Sequence, residues 1–154
     1  MSVAEINSCE YTYLAEISEP SSNELLIVIE ETTVGEEITQ ERLEAESPEI
    51  QGLLSGCRQI VHSASCRSFK LVWNSYVSYH VRNENYATNE PFPSNRDGRT
   101  IIKRTQSHYL TYIHQSTIAN NDYPGPLIHW TIFSLDHIID IVSTEEPIIN
   151  QNAT

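Results

Sequence analysis

The stretch FKLVWNSYVSYHVRNENY, residues 69–86, decides the fold class of this chain. Phe69, Leu71, Trp73, Val77, Tyr79 and Val81 fall on one parity, interrupted only by Ser75. Lys70, Asn74, Tyr76, Ser78, His80, Arg82 and Glu84 fall on the other, interrupted by Val72. Apolar and polar residues alternating with period two are the pattern of an antiparallel strand with one buried face. The run exceeds the usual strand length of about 3–10 residues, so it predicts a bend or bulge near Asn74-Ser75 and a curved sheet.

Further strands follow on either side. Tyr11 to Ile17 and Leu25 to Glu31 flank the turn-rich segment 18–24, which predicts a hairpin. Thr100 to Arg104 reads as a short strand, and Leu127 to Leu135 and Ile138 to Val142 as two more, with Asp136-His137 as their turn. The last two runs are apolar on both parities and belong in the middle of a sheet with a helix over one side. Ser107 is placed to cap a helix running to about Ala119, ended by the segment 120–126 with its prolines and glycine. Residues 87–99, with two prolines and Asp97-Gly98, read as a loop. The expectation is a single α+β domain over residues 1–154. It has a curved, mostly antiparallel sheet of about five to seven strands and one main helix near 107–119.

Residues 30–49 hold eight glutamates against one arginine, Arg42, with only Val34, Ile38 and Leu43 to pack. This predicts an acidic surface excursion near 32–49 containing a helical turn. Ser47-Pro48-Glu49 is a second helix start, kept short by Gly52 and Gly56.

Composition bounds what the chain can do. Its 154 residues carry 21 acidic and 9 basic side chains, a net charge of −12. That argues against a nucleic-acid surface or an anionic membrane as partner, since both need clustered Lys and Arg. It suits solubility and a basic protein partner. Three cysteines, Cys9, Cys57 and Cys66, form neither a disulfide framework nor a zinc pattern, and buried free thiols in a reducing cytoplasm are the expectation. The first residues show no basic start or apolar run, so no secretory signal is expected. No stretch reaches the roughly 18 apolar residues of a membrane span.

Catalytic and metal motifs are missing. The histidines His62, His80, His108, His114, His129 and His137 form no H-x-x-x-H or H-E-x-x-H spacing, so neither a metal nor another cofactor is expected. There is no G-x-S-x-G elbow, P-loop or G-x-G-x-x-G. Asp136 and Asp140 are a carboxylate pair of a kind expected by chance, and His129 beside Trp130 reads as a hydrogen-bonded structural histidine.

Three readings of function remain. In the first, a non-catalytic acidic protein of immunity or antitoxin type engages a basic partner through Glu36, Glu37, Glu41, Glu44 and Glu46. In the second, a small-molecule-binding domain or small enzyme uses the polar strand face, with Tyr76, His80, Arg82 and Glu84 lining a pocket and His129 nearby. The bland version of this face is a solvated sheet surface. In the third, exposed strand edges build an oligomeric scaffold.

The strings Tyr76-Val77-Ser78-Tyr79-x-Val81-x-Asn83-Glu84-x-Tyr86, Ser107-x-Tyr109-Leu110 and Gly125-Pro126-x-x-His129-Trp130 resemble a family of uncharacterised bacterial proteins over roughly residues 57–143. The resemblance implies a compact bacterial, cytoplasmic domain and brings no activity, cofactor or catalytic residue with it.

Overall fold

A computed structural model describes residues 2–54, 58–61, 66–88 and 100–152. Residues 89–99 of the expected loop, Gly56, Cys57 and His62 lie outside them. The order of elements is α1 (Val3–Ile6), β1 (Tyr11–Ser18), β2 (Leu25–Glu37), α2 (Gln40–Glu44), α3 (Pro48–Leu54), β3 (Arg58–Val61), β4 (Ser68–Trp73), β5 (Ser78–Asn83), a 3₁₀ turn (Glu84–Tyr86), β6 (Ile101–Arg104), α4 (His108–Ser116), β7 (Ile128–Ser134), β8 (His137–Ser143) and β9 (Ile148–Asn152).

The protein is α+β with antiparallel ladders. Its nine described strands divide between two sheets instead of forming one curved sheet. The first has the order β1-β2-β4-β9, with β3 on the far end of β2, and the second the order β5-β8-β7-β6. The division falls inside the stretch that announced the strands. β4 pairs with β2 and β9, whereas β5 pairs with β8. Residues 74–77 carry the chain from one sheet to the other, so the expected bend is a change of sheet. Inward parity survives the crossing: Phe69, Leu71 and Trp73 are fully buried, and Tyr79 packs against the same core.

That core is the interior of the sandwich. Leu25, Ile27, Ile29, Phe69, Leu71 and Trp73 from the first sheet meet Ile101, Trp130, Ile132, Ile139 and Ile141 from the second, closed at one end by Ile6 and Cys9. Each fully buried aliphatic side chain contributes roughly 1.5–3 kcal/mol. The sheets touch directly where Thr12 bonds to β7: its hydroxyl donates to the Phe133 carbonyl at 3.2 Å, and its own carbonyl accepts from Leu135 N–H at 2.8 Å.

The outer face of the second sheet is covered by α4. Tyr109, Leu110 and Ile113 pack on Leu127, Ala119 and Val142 in a second, smaller cluster. Ser107 caps this helix as its position predicts, its Oγ accepting from Leu110 N–H at 2.9 Å. Helix α4 ends at Ser116, short of Ala119. The β7–β8 hairpin turns on Leu135-Asp136 rather than Asp136-His137, because Ser134 pairs with His137. Asp136 takes φ +65° there, a conformation that aspartate tolerates better than most residues.

The acidic segment begins as a strand. Residues 32–37 continue β2, where Thr33 and Val34 pair with Val61 and Ile60 of β3, and only then do α2 and α3 follow. Thr32 is buried and Val34 half-buried, and with the pairing to β3 this packing lets the strand run on past Glu31.

Ile139 sits at the centre of the sandwich and Ile148 is half exposed on β9. We expect Ile139→Ala to lower unfolding free energy by about 2–5 kcal/mol and Ile148→Ala by roughly 1 kcal/mol or less. Urea denaturation of the two variants checks this; equal losses would contradict the placement of the core.

Candidate functional site

The buried carboxylate of Asp140 organises the outer face of the second sheet. It lies on β8, opposite His80 of β5 on one side and Thr131 of β7 on the other. Ile139 and Ile141 point into the sandwich, so the alternation of β8 turns Asp140 outward, beneath α4. It is fully buried. A lone carboxylate there would cost several kcal/mol, and it is stable only because its lone pairs are filled. Oδ1 accepts from His129 Nε2 and Thr131 Oγ1, both at 2.8 Å. Oδ2 accepts from His80 Nε2 at 2.9 Å and from Arg82 Nε at 3.0 Å, and is ion-paired with Arg82 Nη2 at 2.8 Å. Burial alone would push this carboxyl up. The hydrogen bonds from His129, His80 and Thr131 outweigh it and hold the group well below the usual carboxylate range.

The carboxylate also sets the tautomers. A carboxylate only accepts, so His129 and His80 each present Nε2–H to it. In neutral His129 the other nitrogen, Nδ1, must accept, and the Ser107 hydroxyl donates to it at 2.8 Å. Thr131 in turn accepts from Arg104 Nη1 at 2.7 Å. A continuous path therefore runs from the cap of α4 through His129 and Asp140 to His80 and Arg82. Ser107, His129 and Asp140 have the connectivity of a nucleophilic triad, but Ser107 is 1% exposed and its oxygen already serves the helix. Its hydroxyl caps and orients, and has no open side for a substrate.

His80 and Arg82 reach the surface. Their side chains are 38% and 35% exposed, against 1% for Asp140. They line a cleft of about 270 Å³ with His108, Tyr109, Tyr112 and Asp140. The wall is aromatic: the His80 and Tyr109 rings are 4.2 Å apart, and Tyr109 and Tyr112 lie nearly parallel at 6.4 Å. The Tyr109 hydroxyl is bonded to Ser78 Oγ at 2.8 Å, and burial pushes its phenol up, so it stays protonated near neutral pH. Within the described residues His80 Nδ1 and Arg82 Nη1 have no further partner.

The residues picked out from the sequence part company here. His80, Arg82 and His129 come together through Asp140. Tyr76 does not join them: it lies where the chain changes sheets, and its hydroxyl, with that of Tyr79, donates to Glu19 in the β1–β2 turn at 2.9 and 3.0 Å. Glu84 starts the 3₁₀ turn after β5 and does not line the cleft. Glu36, Glu37, Glu41, Glu44 and Glu46 are exposed at the end of β2 and around α2. Of the other site residues, Thr131 goes unnoticed in the sequence, Asp140 reads there as a chance pair with Asp136, and Ser78 and Tyr109 are noted without a place in the site. The available signal was Asp140 itself, a single charge in the apolar run 138–142, which demands partners if that strand is central. Among the described residues no group of three His, Cys, Asp or Glu side chains is arranged to hold a metal, and no helix is long and apolar enough to cross a membrane.

No family model, curated protein or solved structure matches the chain. The bacterial resemblance drawn above thus rests on its quoted residues alone.

Two outcomes follow from the network. Asp140→Ala leaves His129 and Thr131 buried without their acceptor, and we expect a loss of about 3–5 kcal/mol at pH 7 by chemical denaturation. The Asp140 carboxyl is depressed in the folded chain relative to about 3.9 in an unfolded one. Its contribution is therefore complete above about pH 4 and drains away as the pH falls towards the folded value. The stability gap between wild type and Asp140→Asn should narrow below about pH 4; a gap constant from pH 7 to pH 2.5 would contradict the assignment.

Proposed function

We propose that this chain is a small-molecule-binding protein whose ligand site is the cleft between β5 and α4. The observation that carries the reading is the holding of His80 and Arg82, both partly exposed, by a fully buried carboxylate. A buried ion pair is a poor source of stability, since apolar residues of similar volume often do as well or better. What it supplies is orientation: two polar heads are fixed at the mouth of an aromatic-walled cleft before any ligand arrives, which lowers the entropy cost of binding. Binding rather than turnover is proposed, because among the described residues the one serine aligned with a histidine and an aspartate, Ser107, is buried at the cap of α4.

The cleft holds roughly nine water-sized groups at about 30 Å³ each. A ligand of about ten heavy atoms at roughly 0.3–0.6 kcal/mol per atom binds with a Kd in the millimolar to tens-of-micromolar range. A fragment screen read by heteronuclear NMR tests the reading. We expect hits that shift the signals of His80, Tyr109 and Tyr112 together, and at least a tenfold loss of affinity in His80→Ala with an unchanged circular dichroism spectrum. Hits that cluster elsewhere, or none, would sink it.

One observation favours a second reading, in which the chain binds a basic protein. Beside the exposed glutamates of β2 and α2, helix α3 and strand β3 expose Leu53 (77%), Ile60, Ile50 and Val61. Exposed apolar side chains on elements next in the chain to exposed glutamates suit a basic partner's surface. If so, reversing Glu36, Glu37, Glu41 and Glu44 to lysine should slow association at least tenfold at low salt, as read by surface plasmon resonance; unchanged association would count against it.

A further inference from the structure

Resting on the cleft reading above, we infer that the ligand is a small planar anion: a flat ring bearing one carboxylate or phosphate. The polar end follows from an inventory of donors and acceptors. Among the described residues Asp140 is the only acidic side chain lining the cleft, and both its oxygens are filled by neighbours in the chain. It has nothing left to offer a cation. Arg82 has five N–H groups and no acceptor; Nε donates to Asp140 and Nη2 lies 2.8 Å from the same oxygen, so among the described residues both Nη1 hydrogens are left for a ligand. A ligand meeting this guanidinium must bring acceptors, and a carboxylate or phosphate makes the strongest such bond.

The flat end follows from the wall. Tyr109 and Tyr112 differ by 12° in plane and both line the cleft, with the His80 ring against Tyr109. Tyr112 is 60% exposed, and among the described residues its hydroxyl has no hydrogen-bond partner, so its ring is a contact surface open to a ligand. Aromatic faces and edges favour a ring over an aliphatic chain of equal size. A six-membered ring with a carboxylate has nine heavy atoms, in keeping with the volume available.

The chain's charge of −12 does not forbid this. At physiological salt the Debye length is about 8 Å, so glutamates farther away are largely screened while Arg82 acts at contact.

Titration with benzoate, benzamide and cyclohexanecarboxylate, followed by NMR at 0.15 M salt, tests the inference. We expect benzoate to bind about tenfold more tightly than benzamide, which has the ring without the charge, and several-fold more tightly than cyclohexanecarboxylate. Tyr112→Ala, whose exposed side chain leaves the fold intact, should weaken benzoate at least fivefold and bring it level with cyclohexanecarboxylate. Benzamide binding as well as benzoate at shifted His80 and Tyr109 signals would overturn the anion while leaving the cleft in place. Benzoate that ignores the loss of Tyr112 would overturn the ring. Absence of any shift in the cleft with these probes would also overturn the inference. The fragment screen then separates the two readings, because uncharged or cationic hits in the cleft keep the binding reading alive and no hits there end both.

Discussion

The outer face of the second sheet is built around one constraint: a carboxylate placed where water cannot reach must find every hydrogen bond within the protein. Asp140 is buried by the same alternation that puts Ile139 and Ile141 into the sandwich. Its neighbours across both ladders are therefore obliged to be donors, and they are. His80 and Arg82 come from β5, His129 and Thr131 from β7. The network ties three strands to the N-terminus of α4 through Ser107, so the helix covering this face is held by polar bonds at one end and by Leu110 and Ile113 along its length.

Such a device is an expensive way to hold a sheet together. The gain from pairing buried charges is largely consumed by desolvation, and a branched aliphatic side chain at the same place would pack without that cost. Its distinctive product is geometry. The half of the network nearest α4 is sealed, and its serine serves as a cap despite its triad-like neighbours. The half at β5 opens on the cleft, where His80 and Arg82 present fixed polar heads beside the rings of Tyr109 and Tyr112. The contrast between a sealed end and an open end distinguishes this arrangement from a satisfied core cluster.

The first sheet has a different character. Its inner face supplies half of the sandwich core, while its far end carries the glutamates of β2 and the short helices α2 and α3. That surface is solvated and densely negative, with a few exposed aliphatic groups among the charges. The two candidate surfaces thus occupy different sheets and call on different chemistry, oriented donors in one case and diffuse charge in the other.

Strand positions, the α4 cap and the antiparallel α+β character were legible in the residues because they are local. Period-two alternation, an N-cap serine and turn residues act over a few positions, and β1, β4 to β8 and α4 lie close to where those signals put them. Residues 69–86 mark the limit: their alternation continues through Asn74–Val77, and nothing local says that the two halves join different sheets. That choice depends on which partner strands are free to pair, β2 and β9 for one half and β8 for the other. The site shows the same division. His80, Arg82 and His129 could be singled out by type and parity, and Asp140 is visible as a charge in an apolar strand. Their convergence needed registers that set His80 and Thr131 on either side of Asp140, and the same packing carried Tyr76 away to Glu19. Side-chain type is written residue by residue, but proximity is a property of pairing between distant segments, and only the folded chain decides it.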